Sequence, residues 1–543
     1  MGVHILLFVN GDRIGSDIWE RVYAESLVLL RAFPAPLMRL AVENIDEERR
    51  YTFTSEIVRD RGTREERWIV DGDMKSRTPA EPFELYRFHD RQFPTDDFFA
   101  TAGPNSEDVL WAKPTDEPHD IHANGCMVWN SKTQGRPYHY AMLAVGMLVE
   151  SRCPGCAYVT GDIDLSQAEE VRQWVNPLLE EPLALPICVD PDRLYNRLSE
   201  IYEKEEHVVS RATGLFLGSD TELHRALTRH AGRATADAWF KQRLADFDSL
   251  SHVGASELLT SFLEATGDVA RLVEVMQEIA SAPARVTDEG AGFSLDGLLH
   301  ELCSRFITIP PEERDVLETY GLVAAAATAG ALKTSDEVIY DAFLKIARTP
   351  SPVPVYVAAD ELLELFARAD PEQRGQFAET IRTEERNCRE ALKDFADARR
   401  AVSTSSQEHG ASGTANNRTS GGTSDGTDPI REEVARQTVH HEAEEDSARE
   451  LGEMIRGKLM SAPVVTTPET RSELLAELYR VTRIHGIVLT ETAWNRIDAL
   501  RDETLLRHLL ALAAIKYDEI HFCEGRLHVL ESARLWPVLA GVA

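Results

Sequence analysis

The chain has 543 residues, of which 43% are hydrophobic and 27% are charged. This length and near-average composition exclude a single small domain, a wholly disordered chain and a membrane-embedded protein, and they predict about three or four domains. The 91 acidic and 58 basic residues give a net charge of -33, which disfavours nucleic acid as a partner because the protein repels phosphate.

The cysteines and the apolar segments predict the compartment. Seven cysteines are scattered along the chain, and an odd, dispersed set favours free thiols in a reducing compartment over a disulfide framework. No apolar run reaches the ~18 residues that span a bilayer. The apolar run at residues 5–9 lacks the basic leader and the cleavage site of a signal peptide. We therefore expect a cytoplasmic protein that does not bind membranes.

Residues 1–189 are predicted to form a mixed domain of the α+β or α/β class. Apolar residues at helical spacing indicate helices from Ser16 or Asp17, over 138–150 and from Ser166, where Ser166-x-x-Glu169 has the spacing of a capping box. The helix at 138–150 is apolar on all sides, which predicts a central place in the core. Strands are indicated where β-branched and aromatic residues predominate, at 3–9, 37–45, 51–58, 66–71, 83–88, 126–129 and 157–160.

Residues 190–402 are predicted to be entirely helical, because strand patterns almost vanish there. Proline and glycine separate the apolar-periodic segments from one another. Two arrangements stay open, an irregular bundle and an α-solenoid that presents an extended protein-binding face. The segments are 191–207, 221–230, 235–247, 255–265, 268–281, 294–306, 311–330, 335–348, 355–369 and 371–401.

Residues 403–428 are rich in Ser, Thr and Gly and are predicted to be a disordered linker with ends roughly 25–31 Å apart. Residues 429–543 are then predicted to form a small helical domain that is free to swing. It is expected to end in a β-hairpin over 520–530, an order that resembles a winged helix. The helix that would enter a DNA groove, 503–516, is mostly apolar and therefore suits a core. Further helices are expected at 430–460, 469–485 and 491–500.

Cys153-Pro154-Gly155-Cys156 has the CxxC spacing of a redox dithiol or of half a zinc site. A zinc site would be completed by Cys126, Cys188, His119 or His122. His119-x-x-His122 also has ligand-like spacing, but it lies in a polar segment where solvated histidines are common. A redox pair needs a helix N-terminus, whereas this pair follows a helix and precedes a strand. We favour a structural Pro-Gly turn.

Asp162 and Asp164 follow a predicted strand, at the edge where open α/β sheets place their sites, and two carboxylates there suit Mg²⁺. Their Asp-x-Asp pattern resembles the nucleophile loop of haloacid-dehalogenase-type phosphatases. That resemblance implies a metal-dependent phosphatase, but the pattern here lies in mid-domain and lacks the downstream lysine and paired aspartates. We favour a turn that leads into the helix at Ser166.

The sequence contains no Gly-rich phosphate loop, no serine nucleophile elbow and no HExxH helix. We therefore expect a non-enzymatic, cytosolic protein-interaction or regulatory protein with an acidic binding surface and another protein, of basic charge, as its partner. No cofactor is expected. The first alternative is a zinc- or magnesium-dependent hydrolase or phosphatase-like enzyme in the N-terminal domain. The second is a transcription regulator that acts through the C-terminal domain.

Overall fold

The computed structural model describes residues 3–45, 48–74, 80–93, 108–112, 125–280, 293–314, 352–409, 470–515 and 520–536. The chain divides into two compact units. Unit 1 comprises Met1–Leu194, Gly214–Leu217 and Thr423–Ala543, and unit 2 comprises Tyr195–Thr213 and Gly218–Gly422. The predicted fold class is confirmed: strands mixed with helices come first, a long helical middle follows, and the C-terminal region is helical with one short strand.

The described strands all lie in unit 1 and form three small sheets, with strand orders β8-β1-β9, β10-β3-β2-β6 and β4-β5-β7. The strands are β1 (His4–Val9), β2 (Leu37–Ile45), β3 (Glu48–Thr54), β4 (Val58–Arg59), β5 (Arg67–Val70), β6 (Gly72–Asp73), β7 (Phe83–Tyr86), β8 (Cys126–Lys132), β9 (Ala157–Gly161) and β10 (Leu489–Thr490).

The helices fall into three groups along the chain. The N-terminal group is α1 (Ser16–Ala32), α2 (His89–Gln92), α3 (Tyr138–Arg152) and α4 (Leu165–Val175). The middle group is α5 (Pro191–Ile201), α6 (Glu205–Leu215), α7 (Asp220–His230), α8 (Arg233–Leu244), α9 (Val253–Thr266), α10 (Val269–Ala280), α11 (Leu295–Ser304), α12 (Ala359–Ala369) and α13 (Arg374–His409). The C-terminal group is α14 (Arg471–Ile484), α15 (Glu491–Ala499), α16 (Glu503–Ala514) and α17 (Ile520–Glu531). Among the described residues, no helix combines the length and the apolar character that crossing a membrane requires.

Helix α3 is the centre of the N-terminal core. It connects β8 to β9, and β1 lies between these two strands and runs antiparallel to both. Nearly every side chain from Tyr138 to Glu150 is buried, which confirms the central position predicted for this helix. Gly146 allows the close packing, since a Cβ there would lie 2.7 Å from a methyl group of Val159 on β9.

The outer edge of β9 is closed by side chains. Glu150 is only 6% exposed, and its carboxylate accepts hydrogen bonds from the backbone N–H groups of Val159 (2.9 Å) and Ile187 (2.7 Å). The thiol of Cys188 donates to the carbonyl of Val159 at 3.3 Å. The N–H and the carbonyl of Val159, which face away from β1, therefore both have partners. At this residue the edge of β9 cannot pair with another strand.

The C-terminal helices pack against the N-terminal strand β3. Strand β10 pairs in parallel with β3, with Leu489 opposite Thr52. The indole N–H of Trp494 donates to the carbonyl of Tyr51 at 3.2 Å, and the Arg50 guanidinium lies 2.6 Å from Asp498. The helices also share their own apolar core, made of Leu474, Leu478, Ile487, Leu489, Trp494, Ile497, Leu506, Leu509, Leu512, Val529 and Leu530 among others.

Three C-terminal predictions need correction. The freely swinging domain is wrong for residues 470–536, because they belong to the same compact unit as β3. The hairpin over 520–530 is also wrong: helix α17 occupies that stretch, and packing of Leu527, Val529 and Leu530 on the apolar core outweighs the ~1 kcal/mol that Gly525 costs a helix. Finally, residues 403–409 of the predicted linker are the end of α13.

Several predicted segments lie outside the described residues. These are the rest of the linker, the helix at 430–460, the helix at 335–348 and all but the first residues of the helix at 311–330.

Unit 2 is built from helices that contact their neighbours in chain order. The main contacts join α7 with α8 and α9, α10 with α11 and α12, and α13 with α11 and α12. Each helix therefore packs chiefly on helices one or two steps away in the described part of the chain. Contacts between chain neighbours are a feature of solenoids, and the choice between the solenoid and the bundle stays a prediction.

We predict that Trp494→Ala destabilises unit 1 by ~3–5 kcal/mol, because it removes a fully buried ring and the bond to Tyr51. Denaturant unfolding measures the loss, and hydrogen exchange of the β3 amides shows whether the N-terminal strand is destabilised with it. Asn495→Ala, on the exposed face of the same helix, is the control and should change stability by less than ~0.5 kcal/mol. Unchanged exchange in β3 would contradict the shared unit.

Candidate functional site

Asp164, a predicted metal ligand, is the N-cap of α4. Its carboxylate accepts the backbone N–H of Gln167 at 2.8 Å, and the Gln167 side chain accepts the backbone N–H of Asp164. The capping box therefore joins Asp164 and Gln167, and the predicted box of Ser166 and Glu169 is wrong. One oxygen of Asp164 is committed to starting the helix.

Asp162 lies at the end of β9 and binds the neighbouring strand. Its carboxylate accepts the backbone N–H of His4 at 2.7 Å, and its own N–H donates to the His4 carbonyl at 2.9 Å. These bonds extend the pairing of β9 with β1 beyond the ladder. The strand β9 lies at the edge of an antiparallel sheet, so the rule that places sites at the carboxyl edge of parallel strands does not apply here.

His139, which belongs to no motif in the sequence, lies near both aspartates. It occupies the first turn of α3, is 3% exposed, and its Nδ1 lies 2.9 Å from the Thr133 hydroxyl. Burial lowers the pKa of His139 to about 4, although the charges of Asp162 and Asp164 and a hydrogen bond with Gln167 act to raise it. The imidazole is therefore neutral at neutral pH.

Thr133, His139 and the two aspartates include the residue types of a nucleophile, a base and an acid. Thr133 is fully buried, however, and its hydroxyl also lies 3.4 Å from the carbonyl of Val3. Neither Thr133 nor His139 reaches a surface where a substrate would bind. As arranged, the cluster connects the starts of α3 and α4 to strand β1.

The CxxC segment is a tight turn. The backbone N–H of Cys156 donates to the Cys153 carbonyl at 2.9 Å, and Gly155 has a φ of 74°, which favours glycine. Burial raises the pKa of Cys153 to about 12, and the neighbouring Cys156 adds to that effect. Redox dithiols need a lowered thiol pKa, so this environment acts against that chemistry.

The other predicted zinc ligands are not brought together. Cys126 and Ala157 both pair with Val9, on opposite sides of β1, so the chain positions of Cys126 and Cys156 are separated by roughly two strand spacings, about 10 Å. The buried thiol of Cys188 has a pKa well above its ordinary value because of burial. His119 and His122 lie outside the described residues. In the part of the chain that the structure describes, no group of three His, Cys, Asp or Glu side chains could hold a metal.

A second Asp-x-Asp pattern, Asp71 and Asp73, is more deeply buried than the first. Asp71 is 6% exposed and accepts the backbone N–H of Leu40 at 2.5 Å, and burial raises its pKa to about 6. Asp73 is fully buried and accepts the backbone N–H of Tyr138, the first residue of α3, at 3.3 Å. The Asp-x-Asp spacing is visible in the sequence. The hydrogen bonds are not, because Leu40 and Tyr138 lie in distant segments.

Helix α13 in unit 2 has strongly different faces. Its buried face presents Phe377, Ile381, Cys388 and Leu392. A second face, which we call the α13 basic face, carries the exposed side chains Arg382, Arg386, Arg389 and Lys393. It is a local exception in a chain of net charge -33.

Comparison with protein-family models, with curated protein sequences and with solved structures returns no match.

We predict that Asp164→Ala lowers the stability of unit 1 by ~1 kcal/mol through loss of the N-cap, whereas Asp164→Asn changes it by only a few tenths, because asparagine caps as well as aspartate. Thermal unfolding compares the two variants. Equal losses of stability in the two variants would show that the charge of Asp164 stabilises unit 1, and that its capping hydrogen bond does not.

We predict an acid-induced loss of stability from His139. The unfolded histidine binds its proton near pH 6.5 and the folded one only near 4, so acid favours the unfolded chain throughout that window. The contribution at about pH 5 is ~2 kcal/mol of lost stability relative to neutral pH. His139→Gln keeps a hydrogen-bonding side chain and removes the titration, so its stability should fall less between neutral pH and about pH 5. Parallel curves for both proteins would contradict this assignment.

Proposed function

We propose that this is a non-enzymatic, cytoplasmic protein-binding protein whose helical unit 2 carries the binding surface. The observation that carries the proposal is the stacking of α7 to α13 between neighbours in chain order. Helices stacked in this way present a long series of outer faces, which suits the recognition of an extended partner surface. The net charge of -33 would steer a basic partner to most of the surface.

The contacts in unit 1 also support binding over hydrolysis. Asp162 and Asp164 each use a carboxylate oxygen for a backbone hydrogen bond, and the nearby His139 is buried. Helix α16, which would have to enter a DNA groove in a transcription regulator, buries Leu506, Leu509 and Leu512 in the core instead. These side chains serve the stability of unit 1.

The proposal is tested by capture of partners from cell extract with the full-length chain. The double variant Asp162→Asn, Asp164→Asn keeps side-chain size and the cap of α4 but removes both charges, so it should capture the same proteins as the unchanged chain. A second set of variants reverses two exposed charges at a time, each pair on a single helix of unit 2. At least one of these variants should no longer capture the partners. Loss of capture or of a cellular phenotype in the Asn variant alone would favour the hydrolase.

A further inference from the structure

The cations of the α13 basic face lie on one side of the helix. Arg382, Arg386, Arg389 and Lys393 are spaced by four, three and four residues, which keeps them within one narrow sector over roughly 16 Å of helix. Together with Glu385 and Glu390 they line one shallow depression of the helix surface. The long aliphatic stems of these side chains provide apolar contact area beneath the charges.

Two of the four cations form ion pairs with carboxylates, and the other two form none within the described part of the chain. Arg382 pairs with Glu379, and Arg389 pairs with Glu313 at 2.5 Å and with Glu385 at 3.0 Å. Arg386 and Lys393 form no ion pair with any residue that the structure describes. They are separated by seven residues, about 10.5 Å along the axis, and both are exposed.

We infer that the α13 basic face binds an acidic helical segment of a partner protein, whose carboxylates repeat every seven residues and pair with Arg386 and Lys393. This inference rests on the proposed function and specifies the partner segment at this one basic face, whereas the acidic remainder of the surface would suit basic segments. A seven-residue repeat of charge is the spacing by which two packed helices exchange ion pairs along their flanks. The stem of Arg382 extends the contact area beyond Arg386, and the stem of Arg389 lies between Arg386 and Lys393.

The same face is poorly suited to nucleic acid. The carboxylates of Glu379, Glu385 and Glu390 lie among the cations, where they repel a continuous line of phosphates. A helix whose acidic residues are interrupted by neutral or basic ones avoids these carboxylates while it reaches the two available cations.

The test measures binding of a synthetic helical peptide to the full-length chain by fluorescence anisotropy at low salt. The peptide carries glutamates at heptad spacing, and a second peptide of identical composition spreads them around the helix. Reversal of Arg386 and Lys393 to Glu should weaken binding of the first peptide by on the order of tenfold or more, because attraction becomes repulsion at both positions. The control reverses Arg229 and Arg368, exposed arginines of α7 and α12, and should change binding by less than about twofold.

Each outcome separates this inference from the broader proposal. The expected result is preference for the heptad peptide, loss of binding only in the Arg386→Glu, Lys393→Glu variant, and weakening by added salt. Equal binding of both peptides, or equal loss in both variants, overturns the inference, as does tighter binding of a single-stranded oligonucleotide than of the peptide. If the inference fails while partner capture still depends on another unit 2 helix, the proposed function stands.

Discussion

One buried guanidinium joins the N-terminal and C-terminal parts of unit 1. Arg50 on β3 is 7% exposed and lies over the rings of Tyr479 and Trp494, 5.6 Å from each centroid, with Asp498 at 2.6 Å. Burial alone would lower the pKa of Arg50, but its hydrogen bonds with Tyr479 and Asp498 raise it, so the charge is kept. A buried charge without these partners would be costly, and Tyr479 and Asp498 lie 429 and 448 residues away in the sequence. Side chains of the C-terminal helices therefore hold the buried charge of the N-terminal strand β3.

Unit 1 is formed by the two ends of the chain, and unit 2 is formed mainly by the middle. The sequence of unit 2 lies between the two main parts of unit 1, so the chain leaves unit 1, forms the stacked helices and returns. Completion of unit 1 depends on contacts across the whole sequence, and such long-range contacts form slowly because loop closure precedes them. Buried carboxylates also bind backbone groups within unit 1: Glu150 closes the edge of β9, and Asp73 binds the start of α3. These buried carboxylates are structural, whereas the α13 basic face of unit 2 is exposed.

Local signals in the sequence predicted much of the fold. The apolar run of α3, the helices of the middle region and the strands near the N-terminus follow from periodicity and composition. Competition between neighbouring signals was harder to resolve, since Asp164 and Ser166 are both good N-caps and only the structure shows which one binds. Arg50 and Asp498 carry no local sign of their pairing, and Glu524-Gly525 resembles a turn until the apolar core that holds α17 is known. At the candidate site the sequence identified Asp162 and Asp164 but not the buried His139 beside them, whose neutrality is a consequence of tertiary packing.

The pairing of Arg50 with Asp498 is tested most directly by a double-mutant cycle. Arg50→Ala, Asp498→Ala and the combined variant are unfolded by denaturant, and the coupling free energy is the difference between the double loss and the sum of the single losses. We expect a coupling of ~1–3 kcal/mol, because the two side chains are in contact and one of them is buried. Losses that add to within ~0.3 kcal/mol would contradict the conclusion that the C-terminal helices complete the N-terminal sheet.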